Sequence, residues 1–199
     1  MATDGQGVTA LVCAQGCPLD CKFCINPGSK TFECENRVTA AELYGKVKQD
    51  GLYYSATGGG VTFGGGEPLL HTAFITEFRK IIPDEWHIYA ESSLMIPKQN
   101  VYEAASVTDR FFIDVKDVNK EIYRSYTGGD NRTVLSNLSL LLDLAGADKI
   151  TVRVPLIPGY NTDEDRKKTV EFLRGLGIVD FDVFKYRIPV KKEEANNGN

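Results

Sequence analysis

Arg110 to Tyr126, RFFIDVKDVNKEIYRSY, changes period halfway along. Arg110–Val115 is an apolar run with the length and composition of a buried strand, and Lys120–Tyr126 fits a short helix. The same switch recurs in both directions from this stretch. Strands are expected at Val8–Cys13, Gly60–Phe63, Trp86–Glu91, Lys149–Pro155 and Phe181–Tyr186. Helices are expected between them, at Thr39–Gln49, His71–Ile82, Lys98–Ala105, Val134–Ala145 and Thr162–Leu176. Thr39 with Glu42 three residues on has capping-box spacing, and Gly146 suits the residue that closes a helix. Six β-α units in alternation imply an α/β fold with a parallel sheet and helices outside it. The sheet is either doubly wound or an incomplete barrel, and both put reactive groups at the C-terminal strand ends.

The 199 residues suit a single domain over 1–190, followed by a polar tail at 191–199 (KEEANNGN after Lys191). A net charge of -4 argues against a broad grip on nucleic acid. No apolar run is long enough to cross a membrane, and MATDGQG has no secretory pattern. Five cysteines, three of them crowded together, point to a reducing, cytoplasmic setting.

Those three lie in Gly16–Pro27, GCPLDCKFCINP, as Cys17, Cys21 and Cys24. A structural zinc site needs four ligands, and the candidates for a fourth (Cys13, Cys34, His71) are poorly spaced. The alternative is a four-iron cluster on three thiolates, with one iron left open for a substrate or cofactor. The second feature is Gly58–Leu70, GGGVTFGGGEPLL. It lacks the Gly-Lys-Ser/Thr of a phosphate loop, and Glu67 would repel phosphate. Glycines without Cβ atoms let backbone carbonyls approach a ligand, and carbonyls beside a carboxylate suit an ammonium group.

Cys-x3-Cys-x-aromatic-Cys, with Phe23 as the aromatic, resembles the signature of the radical S-adenosylmethionine superfamily. Gly65, Gly66, Glu67 and Pro68 resemble its GGEP motif. DGQGVTALVCAQGCPLDCKFCINP, VTFGGGEPLL, FFIDVKDVNKEIYRSYTG and VRVPLIPGYNTDE follow, in order, the blocks of glycyl-radical-enzyme activating enzymes. The resemblance implies a partial (β/α)6 TIM-like barrel with parallel strands. It implies a [4Fe-4S] cluster on Cys17, Cys21 and Cys24 that reductively cleaves S-adenosylmethionine, whose amino group would meet Gly65, Gly66 and Glu67. Lys116, Arg153 and Arg187 would line the same pocket. Glu91, Ser92 and Asp114 match oxygen groups that hold a monovalent cation in these enzymes. The implied partners are a glycyl radical enzyme as protein substrate and a reducing flavodoxin or ferredoxin, in an anaerobic setting. Residues between Cys24 and Val38 leave no room for a second cluster domain.

The sequence departs from the family pattern at Gln6, Thr9, Ile25, Gly64, Leu94 (a family glycine) and Arg187 (a common histidine). Cys13 replaces an expected Phe and suits a packed core thiol, while Cys34 suits a free thiol and His71 and His87 structural roles. These departures leave room for a small-molecule substrate, as in 7-carboxy-7-deazaguanine synthases, or for a peptide. A non-catalytic zinc- or cluster-binding module is the rival outside this chemistry.

Overall fold

A computed structural model describes residues 4–34 and 36–186. Six strands form one all-parallel sheet in sequential order. They are β1 Thr9–Ala14, β2 Gly60–Gly65, β3 His87–Ser92, β4 Arg110–Asp114, β5 Ile150–Leu156 and β6 Asp180–Lys185. Sequential order with parallel pairing is what a curling, barrel-like sheet requires, because each crossover advances by one strand in the same direction. A doubly wound sheet would reverse its strand order, so the expected partial (β/α)6 TIM-like barrel is the arrangement found. Among the described residues β1 pairs only with β2 and β6 only with β5, so the first and last strands are not joined to each other.

The helices are α1 Ala40–Val47, α2 Gly51–Thr57, α3 Thr72–Arg79, α4 Lys98–Val107, α5 Lys120–Thr127, α6 Asn131–Ala145 and α7 Asp163–Gly175. Thr39 and Glu42 cap α1 reciprocally, and Thr162 with Asp165 does the same for α7. Asn119 caps α5, accepting from the amides of Glu121 and Ile122, and Asp130 caps α6, which begins at Asn131, three residues before the expected Val134. α2 was not expected from its sequence, GLYYSAT, which begins with glycine and has no side-chain cap. Tertiary packing supplies what the local signals lack: Tyr54 meets Trp86 edge-on at 4.9 Å, and Gly51 lies so close to that indole that a Cβ would collide with it.

Alternate strand positions sort into two faces. Val61, Phe63, Ile88, Ala90, Phe111, Ile113, Val152 and Val154 are buried in the main core with Phe78, Val101 and Leu138 from the helices. The opposite face carries Leu11, Gly64, Glu91, Phe112, Arg153 and Asp182, and it is largely polar. Cys13 lies opposite Gly64 in register and is exposed. It is therefore not the packed core thiol expected, because the alternation of β1 turns it away from the helices. Cys34 is an exposed free thiol whose Sγ donates to the Asn36 carbonyl.

Candidate active site

The cysteine loop leaves the C-terminal end of β1 and is fixed at both edges by backbone hydrogen bonds. Gly66 N donates to Ala14 O at 2.9 Å and Glu67 N to Gly16 O at 2.8 Å, which ties the loop to the end of β2. Gly16 N donates to Ser29 O and Cys17 N to Lys30 O, closing the loop on itself. Asp20 N and Lys22 N donate to the carbonyls of Thr127 and Tyr126 at the end of α5. Lys30 Nζ adds a staple, 2.7 Å from Asp20 and 3.0 Å from the Cys21 carbonyl. Gly66 is needed here for space, since a Cβ would lie 2.4 Å from Gly16 O and 2.7 Å from Ser29 O.

Cys17, Cys21 and Cys24 are free, partly buried thiols, and the neighbouring sulfurs bear on the ionisation of Cys17 and Cys21. Burial pushes the Cys17 thiol up and the Cys21 thiol to about 11, while the Lys116 ammonium pulls Cys21 back down. No three His, Cys, Asp or Glu side chains among the described residues converge to hold a single metal ion. His71, one candidate fourth zinc ligand, has its Nε2 2.8 Å from the Gln15 carbonyl. Three thiols in one loop, flanked by the cations of Lys30 and Lys116, fit an anionic iron–sulfur cluster better than a lone zinc, which wants four donors at about 2.0 to 2.3 Å.

Glu67 is 1% exposed and accepts four hydrogen bonds. Oε1 takes Ser92 Oγ at 2.7 Å and Leu69 N at 3.3 Å, and Oε2 takes Ser93 N at 2.9 Å and Ser93 Oγ at 2.7 Å. Burial raises its carboxyl pKa, and these four donors work in the opposite direction. The expected contact of Glu67 with a cofactor ammonium thus has no spare carboxylate lone pair of good geometry. The carboxylate braces the β2 and β3 ends, and the glycine backbone is the part of the motif that can face a ligand. Gly65, with φ 93°, makes the turn at which this occurs.

The remaining residues form three ion pairs across β3, β4, β5 and β6. Arg153 Nη1 lies 2.7 Å from Glu91 Oε1, its Nε lies 3.8 Å from Asp182, and its guanidinium stacks on Phe112 at 4.9 Å. Lys116 Nζ lies 3.1 Å from Asp114 and donates to the Tyr186 hydroxyl at 2.8 Å. Burial works against the Lys116 charge, but Asp114, Tyr186 and Cys21 outweigh it and hold the pKa well above the usual lysine value. This geometry does not fit the expected monovalent-cation site. Glu91 faces Arg153, Asp114 faces Lys116, and the Ser92 hydroxyl donates to Glu67 while accepting from Leu94 N. Two fixed side-chain cations already neutralise the carboxylates. Arg187 lies outside the described residues.

An aromatic wall beside the cysteine loop was not visible in the sequence. Phe23 packs against Tyr126 at 6.1 Å and Tyr160 at 5.7 Å, and Tyr126 reaches Tyr160 and Tyr186. Tyr123 is fully buried with Leu19 and Val134, and Cys17, Cys21 and Met95 pack against this group. These residues come from the cysteine loop, α5, α6 and the segments after β3, β5 and β6, so no local pattern could have joined them.

Known proteins share this arrangement at several levels. The profile of the Radical SAM superfamily matches residues 11–173. The chain is 30% identical over 193 residues to the pyruvate formate-lyase-activating enzyme of Staphylococcus aureus (strain USA300), covering 92% of this chain and 76% of that one. Streptococcus suis SuiB bound to S-adenosylmethionine superposes with a TM-score of 0.68 at 15% identity, over 92% of this chain and 41% of that one. Coproporphyrinogen III oxidase from Escherichia coli, described as a radical SAM enzyme, gives 0.59 at 19% identity, over 92% and 45%. The chain spans less than half the length of these two structures, and at such identities they establish the fold alone. The family follows from the profile and from the sequence shared with the S. aureus enzyme: this chain belongs to the radical SAM superfamily and, within it, to the glycyl-radical-enzyme activating enzymes.

Proposed function

We propose that the protein abstracts a hydrogen atom from a glycine Cα of a partner glycyl radical enzyme. Membership of the superfamily brings a [4Fe-4S] cluster and S-adenosylmethionine as cofactors. When bound and reduced, the cluster would supply one electron for reductive cleavage of the S–C5′ bond of S-adenosylmethionine, and so the radical that takes the hydrogen atom.

The chain's own residues have distinct parts in this. Cys17, Cys21 and Cys24 would hold the cluster. Gly65 and Gly66 present backbone to the cofactor's ammonium, while Glu67 fixes the loops around them. Lys116 and Arg153 supply positive charge to a carboxylate near the C-terminal strand ends. Phe23 shields one side of the loop against Tyr126 and Tyr160. The gap between β1 and β6 gives a loop of another protein a way to the inner face. A reducing flavodoxin or ferredoxin is the electron donor. No helix among the described residues is long and apolar enough to cross a membrane.

The observation that carries the target is the 30% identity to a pyruvate formate-lyase-activating enzyme over 92% of the chain. The test has two stages. Anaerobically reconstituted protein with dithionite and S-adenosylmethionine yields 5′-deoxyadenosine, and its absence defeats the radical chemistry. Mixed with a candidate partner, it yields the glycyl-radical doublet in electron paramagnetic resonance. Deoxyadenosine without a doublet on any partner, but with turnover of a small molecule, moves the target to the small-molecule reading.

A further inference from the structure

Lys30 joins the cysteine loop at both of its own ends. Its carbonyl accepts from Cys17 N at 3.1 Å, and its ammonium donates to the Cys21 carbonyl at 3.0 Å and to Asp20 Oδ1 at 2.7 Å. It therefore spans the first two of the three thiol-bearing residues, although it follows Cys24 by six positions. Holding a carbonyl takes only a neutral donor, as Gln15 shows by donating its side-chain amide to the carbonyls of Gly28 and Thr31 in the same loop. The ion pair with Asp20 contributes little stability, because Asp20 is 68% exposed. Neither contact accounts for a full positive charge at this place. The position of the charge does. The Lys30 side chain is 28% exposed, and its bond to the Cys21 carbonyl fixes Nζ beside that residue. Every atom of a cysteine lies within about 5 Å of its own carbonyl oxygen, so the Cys21 sulfur is within roughly 8 Å of Nζ, about one screening length at physiological salt. Asp20 above all, then Cys24 and Cys21, hold the ammonium pKa above the ordinary lysine value, and Lys30 in turn eases the ionisation of Cys17.

One fixed cation is thus shared by all three thiols. We propose that Lys30 is the countercharge of the cluster held by Cys17, Cys21 and Cys24, and that it raises the potential at which that cluster accepts an electron. Reduction adds a negative charge beside three thiolates, and a cation held nearby stabilises the more negative state. The electron comes from the external reductant, and Lys30 keeps its proton throughout. Asp20 opposes the effect, but its carboxylate is the more exposed partner and is screened more strongly. Lys30 is a positioning and tuning residue in this account, since it acts through the cluster and touches no substrate. The inference rests on the three-thiolate reading of the loop, and it is independent of which molecule loses the hydrogen atom.

The test is a redox titration of the reconstituted protein without S-adenosylmethionine, at fixed pH and ionic strength, with the reduced cluster counted by electron paramagnetic resonance and iron and sulfide measured on each sample. Lys30→Gln keeps a donor for the Cys21 carbonyl but loses the charge. It lowers the midpoint by the equivalent of a roughly threefold to tenfold weaker reduction equilibrium, about 28 to 59 mV for one electron. Asp20→Asn keeps an oxygen for Lys30 but removes the opposing charge, and it moves the midpoint upward. Lys30→Arg keeps the charge and stays close to the wild-type midpoint. A fully loaded Lys30→Gln protein with an unchanged midpoint overturns the proposal, as does Lys30→Arg shifting as far as Lys30→Gln. A charge effect requires opposite signs at positions 30 and 20, whereas a distorted loop gives no reason for them, so shifts of one sign in Lys30→Gln and Asp20→Asn also overturn it. Where Lys30→Gln fails to load iron, the isosteric change at the exposed Asp20 decides, and an unchanged or lowered midpoint there overturns the proposal. Shifts of the expected signs in a protein that makes no 5′-deoxyadenosine support the countercharge and refute the proposed function separately.

Discussion

Leu94 is the one non-glycine residue with positive φ among the described residues, at 57°, and its side chain is 0% exposed. Its backbone is set from outside: Leu94 N donates to Ser92 Oγ at 2.8 Å, and Asn137 Nδ2 donates to Leu94 O at 2.9 Å and to Ile96 O at 2.8 Å. The left-handed conformation costs a leucine about 1 to 2 kcal/mol, which glycine avoids. Deleting the buried side chain costs about 2 to 5 kcal/mol, so both Leu94→Ala and Leu94→Gly are destabilising. The informative quantity is the difference between them. At an ordinary buried position alanine is ahead of glycine by about 1 kcal/mol. At position 94 the left-handed term cancels or reverses this order. Leu138, also 0% exposed and inside α6, supplies the ordinary case. The glycine-minus-alanine difference at 94 should favour glycine by about 1 to 2 kcal/mol relative to that at 138. In a chain of this size each kcal/mol is about 2 to 4 °C, so anaerobic melts of the four cluster-loaded variants, followed by circular dichroism, resolve it. If Leu94→Ala exceeds Leu94→Gly by the same margin as at 138, the backbone at 94 is not left-handed and the reasoning fails.

Other perturbations give sharp outcomes. Gly66→Ala must push a methyl against the carbonyls of Gly16 and Ser29, so it costs about 1 to 3 kcal/mol and lowers the iron bound per chain, measured colorimetrically. Gly45→Ala, in α1 with open space around its Cβ, raises stability by about 0.5 to 1 kcal/mol, read as a higher melting temperature. In metal-free protein the Cys21 thiol ionises at about 11, so its alkylation by iodoacetamide keeps accelerating from pH 9 to 11, and Lys116→Met moves the rise to higher pH. The same raised value means that the folded metal-free chain favours the neutral thiol. That contribution is complete below the ordinary thiol pKa and is lost as pH climbs through 11, so urea midpoints fall over this interval. Glu91→Gln leaves Arg153 without its 2.7 Å partner and lowers the yield of 5′-deoxyadenosine, whereas added potassium leaves wild-type yield unchanged because Arg153 and Lys116 already provide the positive charge.

Residues whose structure is set by near neighbours were legible in the sequence. Thr39 and Glu42 announced α1, the apolar alternation of Val61 and Phe63 announced β2, and the spacing of Cys17, Cys21 and Cys24 announced the loop that holds them. Features settled by distant partners were not. α2 depends on Trp86, the inward turn of the Glu67 carboxylate depends on Ser92 and Ser93, and the exposure of Cys13 depends on which face of β1 the helices cover. The family pattern supplied an oxygen cage at Glu91, Ser92 and Asp114, but Arg153 from β5 pairs with Glu91, and Lys116, two residues past Asp114, pairs with Asp114. Spacing along β3 cannot reveal that Arg153 reaches Glu91 from β5, across the intervening β4.

The three thiols are only seven residues apart from first to last, yet the amides of Asp20 and Lys22 between them are held by Thr127 and Tyr126, about a hundred positions further on. During synthesis the sulfurs emerge long before the helix that shapes their loop. The loop therefore takes its shape only once α5 is packed against it, so the placing of the three sulfurs belongs to the tertiary fold and not to their spacing alone.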